Sequence, residues 1–123
     1  MKEMTRKLRQ VEQELSNEKG PLNLFALFER EDLTDLWDLV VSAPWARHDL
    51  ETLRYINDVL KRHLVGEDMV RLARIVILRA AEDPVRAITE EYDVEHGQGE
   101  FAELSRFNMP IKHGYIFTAR RAA

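Results

Sequence analysis

Cysteine is absent from the 123-residue chain. Its absence excludes disulfide bonds, thiolate zinc sites, iron–sulfur clusters and a cysteine nucleophile. Long apolar runs are absent as well, because none approaches the roughly 18 residues of a membrane-spanning helix. The chain also opens with a charged segment, where a signal peptide would be apolar. We therefore expect a soluble, cytoplasmic protein that makes no membrane contact.

The composition has no strong bias toward either sign of charge. Hydrophobic residues make up 45% of the chain, charged residues make up 33%, and the formal net charge is −4. This balance supplies enough apolar material for one packed core, and the length suits a single domain. The acidic net charge disfavours general affinity for nucleic acid or anionic lipid. The segment from residue 105 onwards is the exception, since it contains bases and no acid.

The N-terminal segment predicts a helix with a narrow apolar stripe. Its apolar residues recur at steps of four, three and four, which is helical spacing: Met4, Leu8, Val11 and Leu15. Gly20 and Pro21 then end the helix. We divide the chain into this helix, residues 1–19, and a single α/β domain, residues 20–123. The stripe can pack on its own domain or against a second copy, and the second alternative predicts a homodimer through this helix.

Four short apolar segments predict strands, at residues 22–28, 37–42, 69–78 and 111–118. The first two are joined by a connection too short for a crossover, which predicts an antiparallel hairpin. A helical pattern at 50–64 precedes the third strand, which predicts a right-handed parallel βαβ unit. The order α-β-β-α-β-α-β therefore indicates an α/β or α+β fold with a mixed four-stranded sheet. The third strand is rich in β-branched residues, so we expect it in the sheet interior.

Several single residues predict where these elements begin, end or bend. Asp49 is the expected N-cap of the second helix and Gly66 its expected C′ residue. Asp83, followed by proline, predicts an N-cap and the start of a third helix that ends near residue 91. Gly114 is expected to mark a bulge or a close approach in the last strand. Residues 93–107 are expected to form an irregular loop.

The loop at residues 42–49 is the first candidate site, because ligands of doubly wound sheets bind beyond the carboxyl ends of the strands. Arg47 and His48 precede a predicted helix, whose N-terminal N–H groups favour an anion. They are our candidates for binding an anionic small molecule or a nucleotide. The loop lacks the glycines of a phosphate-binding motif, however.

Catalysis is open on the sequence. Ser42, His48 and Asp49 supply the residue types of a nucleophile, a base and an orienting carboxylate. No Gly-x-Ser-x-Gly elbow surrounds Ser42. The alternative is structural, with Trp45 packing at the edge of the core and Asp49 only capping a helix.

No metal site and no cofactor are predicted. The four histidines are scattered, with none at i, i+4 spacing: His48, His63, His96 and His113. A basic surface is conceivable if the third and last strands are neighbours, formed by Arg71, Arg74, Arg79, Lys112, Arg120 and Arg121. Tyr115 and Phe117 lie among these bases, a composition typical of single-strand nucleic-acid binding. Alternation along the strand instead places Phe117 on an apolar, core-facing side.

Three functions of different classes follow. We first expect a non-catalytic interaction or regulatory module that self-associates as a homodimer. The second hypothesis is a small enzyme or binding protein that takes an anionic small molecule or nucleotide at residues 42–49. The third hypothesis, which the net charge disfavours, is nucleic-acid binding through the basic C-terminal segment.

Overall fold

The structure is a computed structural model and describes residues 2–30, 35–102 and 111–121. Within these ranges the helices and strands follow one another as α1 (Lys2–Lys19), β1 (Leu24–Arg30), β2 (Trp37–Ser42), α2 (Leu50–His63), α3 (Gly66–Arg71), β3 (Leu72–Ile77), α4 (Asp83–Glu91), β4 (Gly99–Ala102) and β5 (Ile111–Ala119). No helix in the described part of the chain is both long and apolar enough to cross a membrane.

The strands form one mixed sheet in the order β3-β2-β1-β5-β4. β2 and β3 are parallel, and the other neighbouring pairs are antiparallel. The α+β class, the hairpin of β1 with β2, and the βαβ unit of β2, α2 and β3 are therefore confirmed. The described residues contribute five strands to the sheet where four were predicted. The additional strand, β4, lies in the segment expected to be an irregular loop, because it pairs with the distant β5.

β3 is an edge strand, so its expected place in the sheet interior is wrong. One side of β2 is taken by β1 and the other by β3, and no strand among the described residues pairs with the far side of β3. Ala73 and Arg74 are exposed, and only Ile77 is fully buried in this strand. The β-branched residues indicate packing on the faces of the sheet, and they carry no information about the strand's two edges.

The ends of the helices follow the sequence in part. Asp49 is the N-cap of α2, and its carboxylate accepts a hydrogen bond from the Thr52 N–H at 2.8 Å. Gly66 is not the C′ residue of α2, because α2 is capped at Leu64 and Gly66 already begins α3. α4 ends at residue 91 as expected, but its N-cap is Glu82, so that Asp83 is the first helical residue.

The apolar stripe of α1 is buried in the chain's own core. Met4, Leu8, Val11 and Leu15 are each at most 1% exposed, and they belong to a cluster that α2 and one face of the sheet complete. A second cluster covers the other face of the sheet beneath α4. Of the two alternatives for the stripe, packing on its own domain is therefore confirmed. The surface that suggested a homodimer through this helix is not available to a second copy.

β5 bulges at a different residue from the one expected. Phe25 pairs with Thr118 and Ala26 with Ile116, which leaves Phe117 as the extra residue. The expectation that Gly114 marks a bulge is wrong, since Gly114 pairs in register with Phe28. Phe117 still faces the core and contacts the ring of Phe25 edge to face, with 5.9 Å between centroids.

Candidate functional site

The loop predicted as a site spreads its polar residues apart. Ser42 is the last residue of β2 and is buried, whereas His48 is exposed on the loop. No hydrogen bond joins these two side chains in the described part of the chain, and the carboxylate of Asp49 accepts from Thr52. The three catalytic candidates are therefore not assembled into a nucleophile, base and acid.

Trp45 from the same loop forms one wall of a cavity. Its indole Nε1 donates to the Gly20 carbonyl at 2.8 Å, and its ring meets the ring of Tyr55 at 6.1 Å between centroids in an edge-to-face contact. The volume is about 390 Å³, and the lining residues are Lys19, Trp45, Arg47, Asp49, Glu51, Thr52 and Tyr55. This cavity, which we call the Trp45 cavity, includes Arg47 among the predicted binding residues and does not include His48.

Charges of both signs surround the Trp45 cavity. Lys19 Nζ lies 5.0 Å from the centre of the Tyr55 ring, and the Tyr55 hydroxyl donates to Glu18 Oε1 at 2.8 Å. Burial and this glutamate raise the pKa of Tyr55 to about 12. The N–H and hydroxyl of Thr52 lower the pKa of Asp49. An anion at the start of α2 would therefore meet a carboxylate that already occupies the cap.

The predicted basic surface is not formed as expected. It required β3 and the last strand to be neighbours, but β2 and β1 lie between β3 and β5. Arg74 Nε pairs instead with Asp38 Oδ2 at 3.1 Å, and Arg120 Nη1 with Glu95 Oε2 at 3.0 Å. The side chain of Lys112 lies outside the described side chains.

An apolar groove runs along the open edge of the sheet, between β3 and α2. Its volume is about 450 Å³, and its lining residues are Leu53, Arg54, Asn57, Leu60, Met69, Leu72, Ala73, Arg74 and Ile75. We call this surface the β3 edge groove. Large exposed apolar side chains lie near it: Val70 follows Met69 in α3, and Leu50 lies one turn before Leu53 on α2.

The backbone of β3 presents hydrogen-bonding groups at this edge. The Leu78 N–H donates to the Val41 carbonyl of β2 at 2.9 Å. Because successive residues of a strand direct their N–H and C=O groups to opposite sides, Val76 also faces β2. Ile75 and Ile77 therefore present their N–H and C=O groups to the open side. An extended segment placed there would find both a hydrogen-bonding template and an apolar groove.

A polar cluster that the sequence analysis missed lies on the opposite part of the domain. Glu12 of α1 has a side chain only 1% exposed, and its carboxylate lies 2.6 Å from His96 Nδ1. The Thr118 hydroxyl donates to the same carboxylate at 2.9 Å. The small cavity beside them is also lined by Ser16, Glu95 and Arg120, among others. We call Glu12, His96 and Thr118 the buried triplet.

Half of the buried triplet leaves a signal in the sequence. Thr5 and Glu12 are seven residues apart, and both fall within the buried side of α1. A charged residue on the apolar side of a helix indicates a buried partner. His96 and Thr118 carry no comparable signal, because their proximity to Glu12 depends on how β5 enters the sheet.

Two other histidines also have carboxylate partners. His63 Nε2 lies 2.9 Å from Glu14 Oε1, and His113 Nε2 lies 2.6 Å from Glu100 Oε1. The hydrogen bond from His63, together with Arg62, lowers the pKa of Glu14. Across residues 2–30, 35–102 and 111–121, no group of three or more histidine or acidic side chains has a metal-binding arrangement.

Comparison of the chain with protein-family models, with curated proteins and with solved structures found no match.

Proposed function

We propose that the chain is a non-catalytic interaction module that self-associates as a homodimer in the cytoplasm, and that its interface is the β3 edge groove. The observation that carries this proposal is the open edge of β3, where Ile75 and Ile77 direct backbone donors and acceptors away from the sheet. Such an edge is a template for pairing with another strand. The proposal keeps the homodimer expected from the sequence and moves its interface away from α1.

A second copy suits this edge because a twofold axis pairs β3 with itself in antiparallel fashion. With the axis at Val76, Ile75 of one copy lies opposite Ile77 of the other, so every outward-facing group of both residues is bonded. The same register places Arg74 opposite Leu78 of the second copy and so avoids a direct arginine pair. The exposed apolar residues beside the groove, Leu50 and Val70, support additional burial on association.

Cross-linking through a single engineered cysteine tests the register, since the chain has no cysteine of its own. In the proposed dimer the two Val76 residues form a non-hydrogen-bonded pair with Cα atoms about 4.5 Å apart, within the range of a disulfide. We expect Val76→Cys to yield a covalent dimer under mild oxidation. Glu90→Cys, on the exposed surface of α4, is the matched control and should remain monomeric.

Light scattering after size-exclusion chromatography tests the association itself. The unaltered chain should be a dimer, and Ile75→Pro should shift it toward monomer, because proline removes an N–H that faces the open edge and leaves the ladder to β2 intact. Circular dichroism checks that the variant folds. A unaltered chain that stays monomeric at high concentration, with no cross-link through Val76→Cys, would refute the proposal.

A second candidate function is favoured by the Trp45 cavity. Two aromatic walls, Trp45 and Tyr55, with Arg47 and Lys19 beside them, suit a planar ring that carries an anionic group, such as a nucleotide. We expect adenosine monophosphate to quench the fluorescence of Trp45, and inorganic phosphate to have no such effect. Arg47→Ala should weaken binding roughly tenfold, since a charge-assisted hydrogen bond is lost.

The fluorescence test needs one control, because the chain has two tryptophans. Trp37 is buried under β5 and contacts Tyr115, with 5.6 Å between the ring centroids. A Trp37→Phe variant reports on Trp45 alone, and a Trp45→Phe variant should show no quenching. Equal quenching in both variants would reject the Trp45 cavity as the binding site.

A further inference from the structure

We propose that His96 is a nucleophilic histidine, a modification site that accepts a phosphoryl group at Nε2 from a small phosphoramidate or acyl phosphate. The buried triplet carries this inference, and it is independent of the β3 edge groove. His96 Nδ1 lies 2.6 Å from a carboxylate of Glu12 that is almost wholly enclosed, whereas the histidine side chain is 37% exposed. One ring nitrogen is thus held inside the protein and the ring itself is accessible.

The Glu12 carboxylate determines which ring nitrogen is reactive. A carboxylate only accepts hydrogen bonds, so the proton of a neutral His96 ring resides on Nδ1 and the lone pair resides on Nε2. The same carboxylate stabilises the positive charge that the ring acquires when Nε2 forms a bond, as the carboxylate of a hydrolase triad does. Histidine is itself a known covalent nucleophile in enzymes.

The position of the imidazole is held from three sides. The His96 N–H donates to Thr118 Oγ1 at 3.2 Å, and the Gly97 N–H donates to the Phe117 carbonyl at 2.9 Å. The backbone of His96 has a φ of 51°, in the left-handed region. Thr118 in turn donates to Glu12, so the segment and the carboxylate share one anchoring residue. This arrangement presents Nε2 in one orientation.

Arg120 supplies a partner for the incoming anion. Its guanidinium lies 3.0 Å from Glu95 Oε2, and Glu95 Oε1 lies 3.5 Å from His96 Nε2. Glu95 is half exposed, so it can turn into solvent when a phosphoryl group takes its place beside Arg120. Guanidinium groups bind phosphoryl oxygens through the same paired hydrogen bonds that they make to carboxylates.

The transfer step balances with phosphoramidate as the donor. The lone pair of Nε2 attacks phosphorus, a new N–P bond forms, and the P–N bond of the donor breaks. The electron pair of that bond leaves with ammonia. The His96 ring keeps its Nδ1 proton and becomes cationic, and the Glu12 carboxylate neutralises it. With an acyl phosphate, a P–O bond breaks instead and a carboxylate leaves.

The histidines with Nε2 contacts provide an internal comparison. His63 and His113 direct Nε2 itself at carboxylates, Glu14 and Glu100. Their Nε2 atoms are therefore engaged as hydrogen-bond donors in these contacts. Only His96, among the described histidines, has Nδ1 against a buried carboxylate. The proposal accordingly predicts both a residue and a ring position.

Incubation of the folded, full chain with potassium phosphoramidate tests the proposal. Intact-mass spectrometry should show the addition of one phosphoryl group, peptide mapping should place it on His96, and phosphorus NMR should identify the Nε2 isomer. We expect His96 to react at least about tenfold faster than the other histidines, and Glu12→Gln to slow it by about 10–100-fold, the usual effect of removing the carboxylate that orients a histidine. His48→Gln is the matched control and should leave the rate unchanged.

Two outcomes would overturn the proposal. Labelling spread evenly over the four histidines would show that the buried triplet confers no reactivity, and labelling of His96 at Nδ1 would contradict the assigned orientation. Should Glu12→Gln fail to fold, urea-denatured unaltered chain replaces it in the comparison. The preference for His96 must then disappear in urea, because it depends on the folded arrangement.

Discussion

Thr118 Oγ1 donates a hydrogen bond to Glu12 Oε1 over 2.9 Å, and this bond joins α1 to β5 across 106 positions of sequence. The carboxylate is buried, so the donors that reach it replace the water it loses on folding. His96 supplies the other donor. The N-terminal helix is thus attached to the C-terminal strand by a polar contact as well as by its apolar stripe.

Replacement of Thr118 by valine should destabilise the fold. Valine keeps the shape of threonine and removes the hydroxyl, so the buried Glu12 carboxylate loses one of its donors. We expect a loss of about 1–3 kcal/mol in the free energy of unfolding, measured by urea titration. Thr89→Val is the control: this buried hydroxyl donates only to carbonyls of its own helix, and its loss should cost much less. Equal losses in the two variants would contradict the assigned role of Thr118.

Truncation of the α1 stripe should destabilise the monomer. Leu8 is fully buried, so Leu8→Ala leaves a cavity and should cost about 2–5 kcal/mol. Because the stripe packs within one chain, the loss measured in urea should not change with protein concentration. Gln10→Ala, on the exposed side of the same helix, should change stability by less than about 0.5 kcal/mol. A loss that depends on concentration would instead place the stripe in an interface.

Stability should depend on pH through Glu14. His63 and then Arg62 lower the pKa of this carboxyl in the folded chain. A carboxyl with a lowered folded pKa stabilises the fold above its unfolded pKa of about 4.3, and this contribution is lost as the pH falls through the folded value. We expect Glu14→Gln to be less stable than the unaltered chain at pH 7, by under about 1 kcal/mol.

The pH comparison is made by urea unfolding of both chains at several pH values. The gap between them should close as the solution is made acidic, since the protonated carboxyl no longer pairs with His63 or Arg62. Added salt at pH 7 should also narrow it, because Arg62 is largely exposed. A gap that stays constant down to pH 3 would show that Glu14 contributes through packing alone.

Removal of the cap of α2 should loosen the first turn of that helix. The Asp49 carboxylate accepts from the Thr52 N–H at 2.8 Å, and this contact lowers the pKa of Asp49. Asp49→Ala should therefore speed hydrogen exchange at the Thr52 amide, whereas Asp49→Asn, which can still accept, should largely retain protection. NMR hydrogen exchange measures both. Unchanged exchange in the alanine variant would mean that the cap does not protect this turn.

The sequence was informative wherever structure depends on near neighbours. The steps of four, three and four in α1, the cap at Asp49, the short hairpin connection and the helical crossover all concern residues within a few turns of one another. Each of these expectations is confirmed. Gly66 shows the limit of such signals, because a glycine just after a helix also suits the first turn of the next one.

The candidate site followed the sequence less closely. Arg47 does line a cavity, but the aromatic walls of that cavity come from different elements, Trp45 from the loop and Tyr55 from α2. The buried triplet was missed because its members come from α1, the segment before β4, and β5. A single sequence gives no indication that residues about a hundred positions apart are in contact.

The amino-acid sequence by itself determined the helices, the hairpin and the parallel crossover, because periodicity, caps and connection lengths act over short stretches of chain. Only the tertiary structure decided that β5 enters the sheet beside β1. That choice leaves β3 at the open edge and brings Thr118 to Glu12 and His96. It rests on the packing of distant segments around one core, where many weak contacts act together and none leaves a periodic trace in the chain.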